Sequence, residues 1–151
     1  MKASSHAAAG AVAGAAAACL LGTPEGLGVF LASSLLDADH IGHFAGRGMR
    51  PSPSNLLRAY FMTPRRLQKH FRISRGIPSS WAFPALHSVE LAALLVAGWA
   101  LLGSGLMLGL AAGLLLHLAM DTGYYPEGWA SFSILLKYLR RADHRSRWKA
   151  S

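Results

Sequence analysis

The chain has 151 residues, about one domain, and its 52% hydrophobic content and mean hydropathy of +0.30 make a membrane protein the first class to test. Its 15 Lys and Arg residues against 7 Asp and Glu residues give a formal net charge of +8, which requires an anionic partner such as a nucleic acid, an anionic lipid or a phosphorylated substrate. The single cysteine, Cys19, excludes an internal disulfide and a cysteine-based zinc site within one chain, so any metal must be bound by His and carboxylates.

The first predicted elements are two short apolar segments. Residues 7–22 are almost entirely Ala, Gly, Val, Cys and Leu, and residues 26–38 form a second apolar run after a turn at residues 23–26. Helices of these lengths reach only about 24 Å and 20 Å, so they are either short membrane spans or a re-entrant hairpin. Residues 83–120 are apolar again, with an interruption at 103–105 that predicts two antiparallel helices. We therefore predict an all-α integral membrane protein with about four short transmembrane helices.

The basic residues all lie outside these four segments. One is near the amino terminus, eight are in the polar segment 41–82, and six follow residue 136. The positive-inside rule then places both termini and the polar segment on the cytoplasmic side of a bacterial inner membrane. We predict a multi-pass protein with a membrane metal-site domain at 1–128, which includes the basic segment 41–82, and an interfacial basic helix and tail at 129–151.

Two helices are predicted within the polar segment 41–82. Ser52 and Thr63 are each followed by proline, and a Ser or Thr cap with proline at the first helical position is a helix start signal. The second of these helices is rich in Arg and Lys, as is the helix predicted near the carboxyl terminus, and both are expected to lie on anionic lipid headgroups. The Ala-rich run before Cys19 also loosely resembles a lipoprotein signal peptide, but Ala16 replaces the usual large aliphatic residue.

His and acidic residues occur at the ends of the four apolar segments. Polar groups next to hydrocarbon are costly, so their placement at helix ends indicates a purpose. In an up-down-up-down arrangement, the starts of the first and third segments meet the ends of the second and fourth. A lone His at such an interface is usually only solvated, whereas several acids together require a divalent metal or basic side chains such as Arg47 and Arg75. The converging residues are His6, Asp37, Asp39, His40, His87, Glu90, His117 and Asp121.

The spacing within each segment supports a shared site. His117 and Asp121, at i and i+4, lie on one helix face and can bind one ion or two neighbouring ions. His87 and Glu90, at i and i+3, are also expected to share a face. The two Asp residues within 37–39 diverge on a regular helix, so the second segment must unwind at its end to direct both toward the site.

This order of motifs resembles that of the YdjM-like membrane-bound metal-dependent hydrolases, small bacterial inner-membrane proteins. The likeness covers residues 6–128. It begins with His6 and the small residues after it, and continues with the block Leu36, Asp37, Ala38, Asp39, His40, which is similar to P-D-x-D-H. His87 and Ser88 are similar to T-H-S, and the last motif is His117 through Asp121 followed by Thr122, Pro126 and Gly128. Leu36 stands where the family has Pro, Leu86 stands where it has Thr, and the family's His-Arg-Gly is reduced to Arg75 and Gly76 without its His. The resemblance implies a metal-dependent hydrolase.

The candidate residues also predict a mechanism. One or two divalent ions, zinc or manganese, would lower the pKa of water toward about 7 and polarise a carbonyl or phosphoryl oxygen. Glu90 is the candidate general base, Asp39 is either a ligand or a residue that orients an imidazole, and Arg47 and Arg75 are candidates to bind the phosphate of a phosphoester or lipid. The expected ligands are His6, Asp37, Asp39, His40, His87, His117 and Asp121.

The residues leave two other functions open. A non-enzymatic membrane protein would use metal for structure or move ions, and a complete coordination sphere without water would favour it. A DNA-binding membrane protein would explain the basic segments, but the chain has no helix-turn-helix pattern, so nucleic acid is not the expected partner. Gly10 with Gly14, and Gly109 with Gly113, allow close helix contacts within one chain or in a homo-oligomer.

Overall fold

A computed structural model describes residues 3–36, 52–62, 86–122 and 132–136. All regular structure within these ranges is helical, which confirms the predicted all-α class for this part of the chain. Residues 134–136 form an additional helical turn. The helices are α1 (Ala3–Leu20), α2 (Thr23–Leu35), α3 (Pro53–Phe61), α4 (Val89–Leu102) and α5 (Gly105–Asp121).

The prediction of four transmembrane helices is wrong. Across the described ranges, no helix combines the length and the apolar character needed to cross a membrane. The four longest helices, α1, α2, α4 and α5, have 18, 13, 14 and 17 residues. At about 1.5 Å per residue they are roughly 20–27 Å long, whereas bilayer hydrocarbon is about 30 Å thick.

Two helix starts follow side-chain capping signals. The Ser52 hydroxyl accepts a hydrogen bond from the backbone N–H of Asn55 at 3.3 Å, so the predicted cap ahead of Pro53 is confirmed. The Ser88 hydroxyl caps α4 in the same way, accepting from the N–H of Leu91 at 3.1 Å. Because this cap makes Val89 the first residue of α4, His87 lies outside the helix and Glu90 lies in its first turn.

The turn predicted at residues 23–26 is instead the first turn of α2. The chain reverses one residue earlier, at Gly22, whose φ of 141° is unfavourable for a residue with a side chain. Pro24 is compatible with a helix start, because the first turn has no use for its missing N–H, and Glu25 adds a negative charge near the positive end of the helix dipole.

The helices form two antiparallel pairs. Only two residues connect α1 to α2, and only two connect α4 to α5. α2 packs against both α1 and α5, and α4 packs against α5. In consequence the starts of α1 and α4 lie at the same end of the bundle as the ends of α2 and α5.

Glycines bring the backbones of neighbouring helices close together. A Cβ added at Gly14 of α1 would lie 2.8 Å from the carbonyl oxygen of Gly26 in α2. A Cβ added at Gly28 of α2 would lie 2.6 Å from both the carbonyl oxygen of Leu106 and the nitrogen of Leu110 in α5. These distances leave room for a hydrogen atom but not for a methyl group, so the predicted close helix contacts occur within the chain.

A small apolar core lies toward the end of the bundle where α2 and α5 finish. Phe132, which belongs to the carboxyl-terminal region predicted to be interfacial, is only 1% exposed and packs into this core. The proposed domain boundary near residue 128 stays a prediction, but residues 132–136 pack directly against the bundle. The buried core residues are Leu36, Ala92, Leu114, Leu118 and Phe132.

Replacing Gly28 by alanine should destabilise the fold by about 1–3 kcal/mol, because the new methyl group meets rigid backbone atoms of α5. Gly98→Ala is the matched control, since its Cβ would meet only the flexible side chain of Met107, with Sδ at 2.9 Å, and alanine improves helix propensity there by up to about 1 kcal/mol. Thermal unfolding followed by circular dichroism should therefore show a large loss for Gly28→Ala alone. Equal losses for both variants would contradict the backbone contact.

Candidate metal centre

Three side chains with metal-ligand chemistry meet where α1 begins and α5 ends. One ligand atom from each of His6, His117 and Asp121 lies within 4.8 Å of the other two. His6 and His117 are 0% exposed and Asp121 is 4% exposed. Buried imidazoles and a buried carboxylate at such short range can hold a metal ion, whose identity the geometry does not specify.

The helices account for this arrangement. His117 and Asp121 are four residues apart on α5, so one helical turn separates them, and His117 Nε2 lies 3.7 Å from Asp121 Oδ2. His6 lies in the second turn of α1, and its Nε2 atom is 3.1 Å from Asp121 Oδ1. The rings of His6 and His117 are stacked, with their centroids 3.9 Å apart and their planes at 20°.

His87 is the fourth member of the cluster and comes from a third part of the chain. It is 2% exposed, and its Nε2 atom lies 3.0 Å from Nε2 of His117, with the two rings edge to face at 79°. It precedes the cap residue Ser88 and therefore lies outside α4. The prediction that His87 and Glu90 share a helix face is wrong for this reason, because the regular helix begins only at Val89.

The hydrogen bonds define where the protons lie on the imidazole rings. Nδ1 of His117 is 2.9 Å from the carbonyl oxygen of Ser33, and since a carbonyl only accepts, this nitrogen carries the proton. In the neutral ring, Nε2 of His117 is then an acceptor, to which His87 donates its Nε2 proton. His6 likewise donates to the ionised Asp121. A metal ion bound here would replace the protons that His6 and His87 now share with their neighbours.

The Asp121 carboxyl is held in its ionised form. Burial by itself raises the pKa of Asp121. The hydrogen bond from His6 and the positive charge of the amino terminus lower this pKa by more, so it is well below the ordinary value. The carboxylate is therefore charged throughout the neutral range and needs no deprotonation to bind a cation.

Glu90, the predicted general base, is bound to another part of the chain. Its carboxylate accepts hydrogen bonds from the Ser133 hydroxyl at 2.6 Å and from the backbone N–H groups of Ile134 and Leu135 at 3.1 Å and 3.2 Å. Burial raises its pKa, but these hydrogen bonds together lower the pKa below the ordinary value. These hydrogen bonds attach residues 133–135 to the first turn of α4.

The remaining candidates lie outside the described residues. The structure brings together His6, His87, His117 and Asp121 from three of the four predicted segments, and the sequence did not reveal the contribution of Ser33. Its signal was available, since Ser33 and Ser34 interrupt an apolar helix near its end. The roles proposed for Asp37, Asp39, His40, Arg47 and Arg75 stay predictions.

Comparisons of the chain with protein-family models, with curated proteins and with solved structures give no match. The resemblance to YdjM-like hydrolases accordingly stays a prediction. Because no relative's activity can be transferred to this chain, its function has to be argued from the geometry of the cluster.

Glu90→Gln should lower the thermal stability at neutral pH, with a loss of about 1–2 kcal/mol, because the amide keeps one acceptor but loses the charge that strengthens three hydrogen bonds. The pKa of Glu90 is lower in the folded protein than its reference value of 4.5, so this stabilisation is present above about pH 4.5 and disappears as the pH falls through the folded pKa.

Thermal unfolding of wild type and Glu90→Gln between pH 7 and pH 3 measures this effect. The difference between the two melting temperatures should be constant from pH 7 to pH 5 and then close at lower pH. Ser133→Ala removes one donor of the same network and, combined with Glu90→Gln, should destabilise by less than the sum of the single variants. A difference in melting temperature that persists unchanged at pH 3 would rule out the charge as its source.

Proposed function

We propose that this protein is a metal-dependent hydrolase whose zinc ion is bound by His6, His117 and Asp121. The observation that supports it most directly is the mutual proximity of two imidazole nitrogens and one carboxylate oxygen, all buried and within 4.8 Å. Two His and one carboxylate, with the fourth position left to water, form a common ligand set of catalytic zinc sites. Imidazole-rich sets favour zinc over manganese, which prefers oxygen ligands.

His87 is the proposed general base. It belongs to the cluster through His117 but not to the group of three mutually close ligand atoms. A bound zinc ion supplies Lewis-acid chemistry, lowering the pKa of water and polarising the substrate oxygen. With zinc on Nε2 of His117, His87 would act as a base in the tautomer that carries its proton on Nδ1, since only then does its Nε2 atom have a lone pair to accept a proton from water. This role replaces the one predicted for Glu90.

We propose a phosphoester as the substrate class. The net charge of +8 attracts anions to the protein, and zinc with an ionised carboxylate and imidazoles suits displacement at phosphorus. Arg47 and Arg75 remain the candidates for binding the phosphate, as predicted from the sequence. A membrane lipid headgroup and a soluble phosphoester share this chemistry.

A structural metal site is the second candidate, and the burial of the cluster favours it. All four residues are at most 4% exposed, as expected of a closed coordination sphere. Two nitrogens bound to one tetrahedral zinc are about 3.3 Å apart, and the 3.0 Å between the Nε2 atoms of His87 and His117 is close to that value. In this case His87 is the fourth ligand and no position is left for water.

The Asp121→Asn variant tests metal binding itself. It keeps the shape of the side chain but removes the charge, so zinc affinity should fall at least 10-fold relative to wild type. Glu90→Gln is the matched control, because it also neutralises one acid near the end of the bundle but outside the cluster, and it should retain wild-type affinity. Zinc titration of purified apo-protein with a competing chelator measures both. Equal affinity for Asp121→Asn and wild type would remove the proposed metal centre.

The His87→Ala variant separates the two candidate functions. If His87 is the general base, the zinc content should stay near one equivalent while hydrolysis of bis(p-nitrophenyl) phosphate falls about 100-fold or more. The zinc-loaded wild-type protein is the reference, and the Glu90→Gln variant should keep its activity. Loss of zinc together with a lower melting temperature would instead identify His87 as a ligand of a structural site. A zinc-loaded wild-type protein that hydrolyses no phosphoester would also contradict the hydrolase proposal.

A further inference from the structure

We infer that Ser33 is the positioning residue of the metal centre, because its main-chain carbonyl fixes the tautomer and the direction of the His117 ring. The inference rests on the proposed metal-binding function, but the tautomer of His117 is a property of the protein without metal. Ser33 lies in the last turn of α2, where carbonyl groups have no partner within a regular helix. Its carbonyl accepts the Nδ1 proton of His117 at 2.9 Å and thereby satisfies both groups in a buried environment.

The carbonyl of Ser33, and not its hydroxyl, makes this contact. The Oγ atom donates to the carbonyl oxygen of Val29 at 2.8 Å and lies 3.4 Å from that of Phe30, so the side chain is turned back along its own helix. Ser33 is 0% exposed, which leaves its side chain little freedom to adopt another rotamer. The hydroxyl thus anchors the residue while the carbonyl orients the ring.

Gly10 of α1 lies directly against the Ser33 side chain. A Cβ added at Gly10 would overlap the Oγ atom of Ser33 and lie 2.9 Å from Oγ of Ser34 and 3.1 Å from Cβ of Ser33. While Ser33 keeps its hydroxyl, a side chain larger than that of glycine at position 10 would therefore push α1 away from this turn of α2. Gly10 also follows His6 by one helical turn, so the same contact sets the position of the His6 ring against His117.

The consequence for metal binding follows from the chemistry of imidazole. A neutral ring with its proton on Nδ1 presents a lone pair on Nε2, the atom that faces His87 and Asp121. Without the Ser33 carbonyl, the proton can move to Nε2 or the ring can turn, and either change removes the donor atom. Loss of a partner that orients a ligating His typically lowers metal affinity by about 10–100-fold.

The tautomer in the metal-free wild-type protein is the primary test. Nitrogen-15 NMR of the His rings should show His117 protonated on Nδ1, with its signals assigned by their loss in the His117→Gln variant. Protonation on Nε2 alone would overturn the inference. This measurement needs no bound metal, so it decides the role of Ser33 even if zinc titration shows that the proposed function fails.

The Gly10→Ala variant tests the anchoring contact. We expect a second tautomer of His117 and at least a 10-fold lower zinc affinity, because the new methyl group displaces Ser33. The double variant Gly10→Ala, Ser33→Ala should restore part of both, since it removes the overlapping Oγ atom and keeps the carbonyl, while the contact with Oγ of Ser34 remains. Gly14→Ala disturbs the same helix pair one turn farther from the site and should lower the melting temperature without changing the tautomer.

A purely structural role for Gly10 gives a different pattern. In that case Gly10→Ala and Gly14→Ala lower the melting temperature and the zinc affinity to similar extents, and the His117 tautomer stays unchanged in both. That result would overturn the inference, as would a double variant that regains stability while its zinc affinity stays low.

Discussion

Direct contact between the backbones of α2 and α5 is the constraint from which the site follows. Gly28 and Gly109 lie where the two helices approach most closely, and Gly113 continues the contact one turn farther on against Val29. The next turn on each helix brings Ser33 and His117 within hydrogen-bond distance. A larger side chain at these glycines would move the two helix axes apart and break the hydrogen bond between Ser33 and His117. The small residues therefore set the position of the His117 ring.

Burying this polar cluster is costly unless its members satisfy one another. In the metal-free state His6 donates to Asp121, His87 donates to His117, and the ring of His117 donates to a carbonyl at the end of α2. The proton positions that achieve this also place one nitrogen lone pair and an ionised carboxylate side by side. A cation that enters the cluster exchanges with protons, which couples metal binding to pH and to the stability of the folded state.

In the proposed metal centre, the difference between a catalytic and a structural role would depend on one side chain. His87 lies at the end of a connection and is held by the cap that starts α4, whereas the other three members lie on the regular helices α1 and α5. Residues on regular helices are held most rigidly, and a residue just outside a helix can be either a ligand or a proton acceptor. Glu90, three residues away, is used to attach residues 133–136 to the bundle, so the two neighbours serve different parts of the molecule.

The sequence by itself determined the helical class, the division of the last apolar run at residues 103–105, the Ser52 cap, and the grouping of His and acidic residues at helix ends, because these depend on local composition and on spacing along one helix. The sequence pattern placed the first turn at residues 23–26, where α2 begins, and predicted four short transmembrane helices, since an apolar run does not show which of its residues form the connections. Only the tertiary structure decided that Glu90 turns toward Ser133 and that the carbonyl of Ser33 orients His117. Backbone carbonyls are present at every residue, so their role depends on the distance between two helices, and that distance is set by packing between parts of the chain that are 84 residues apart.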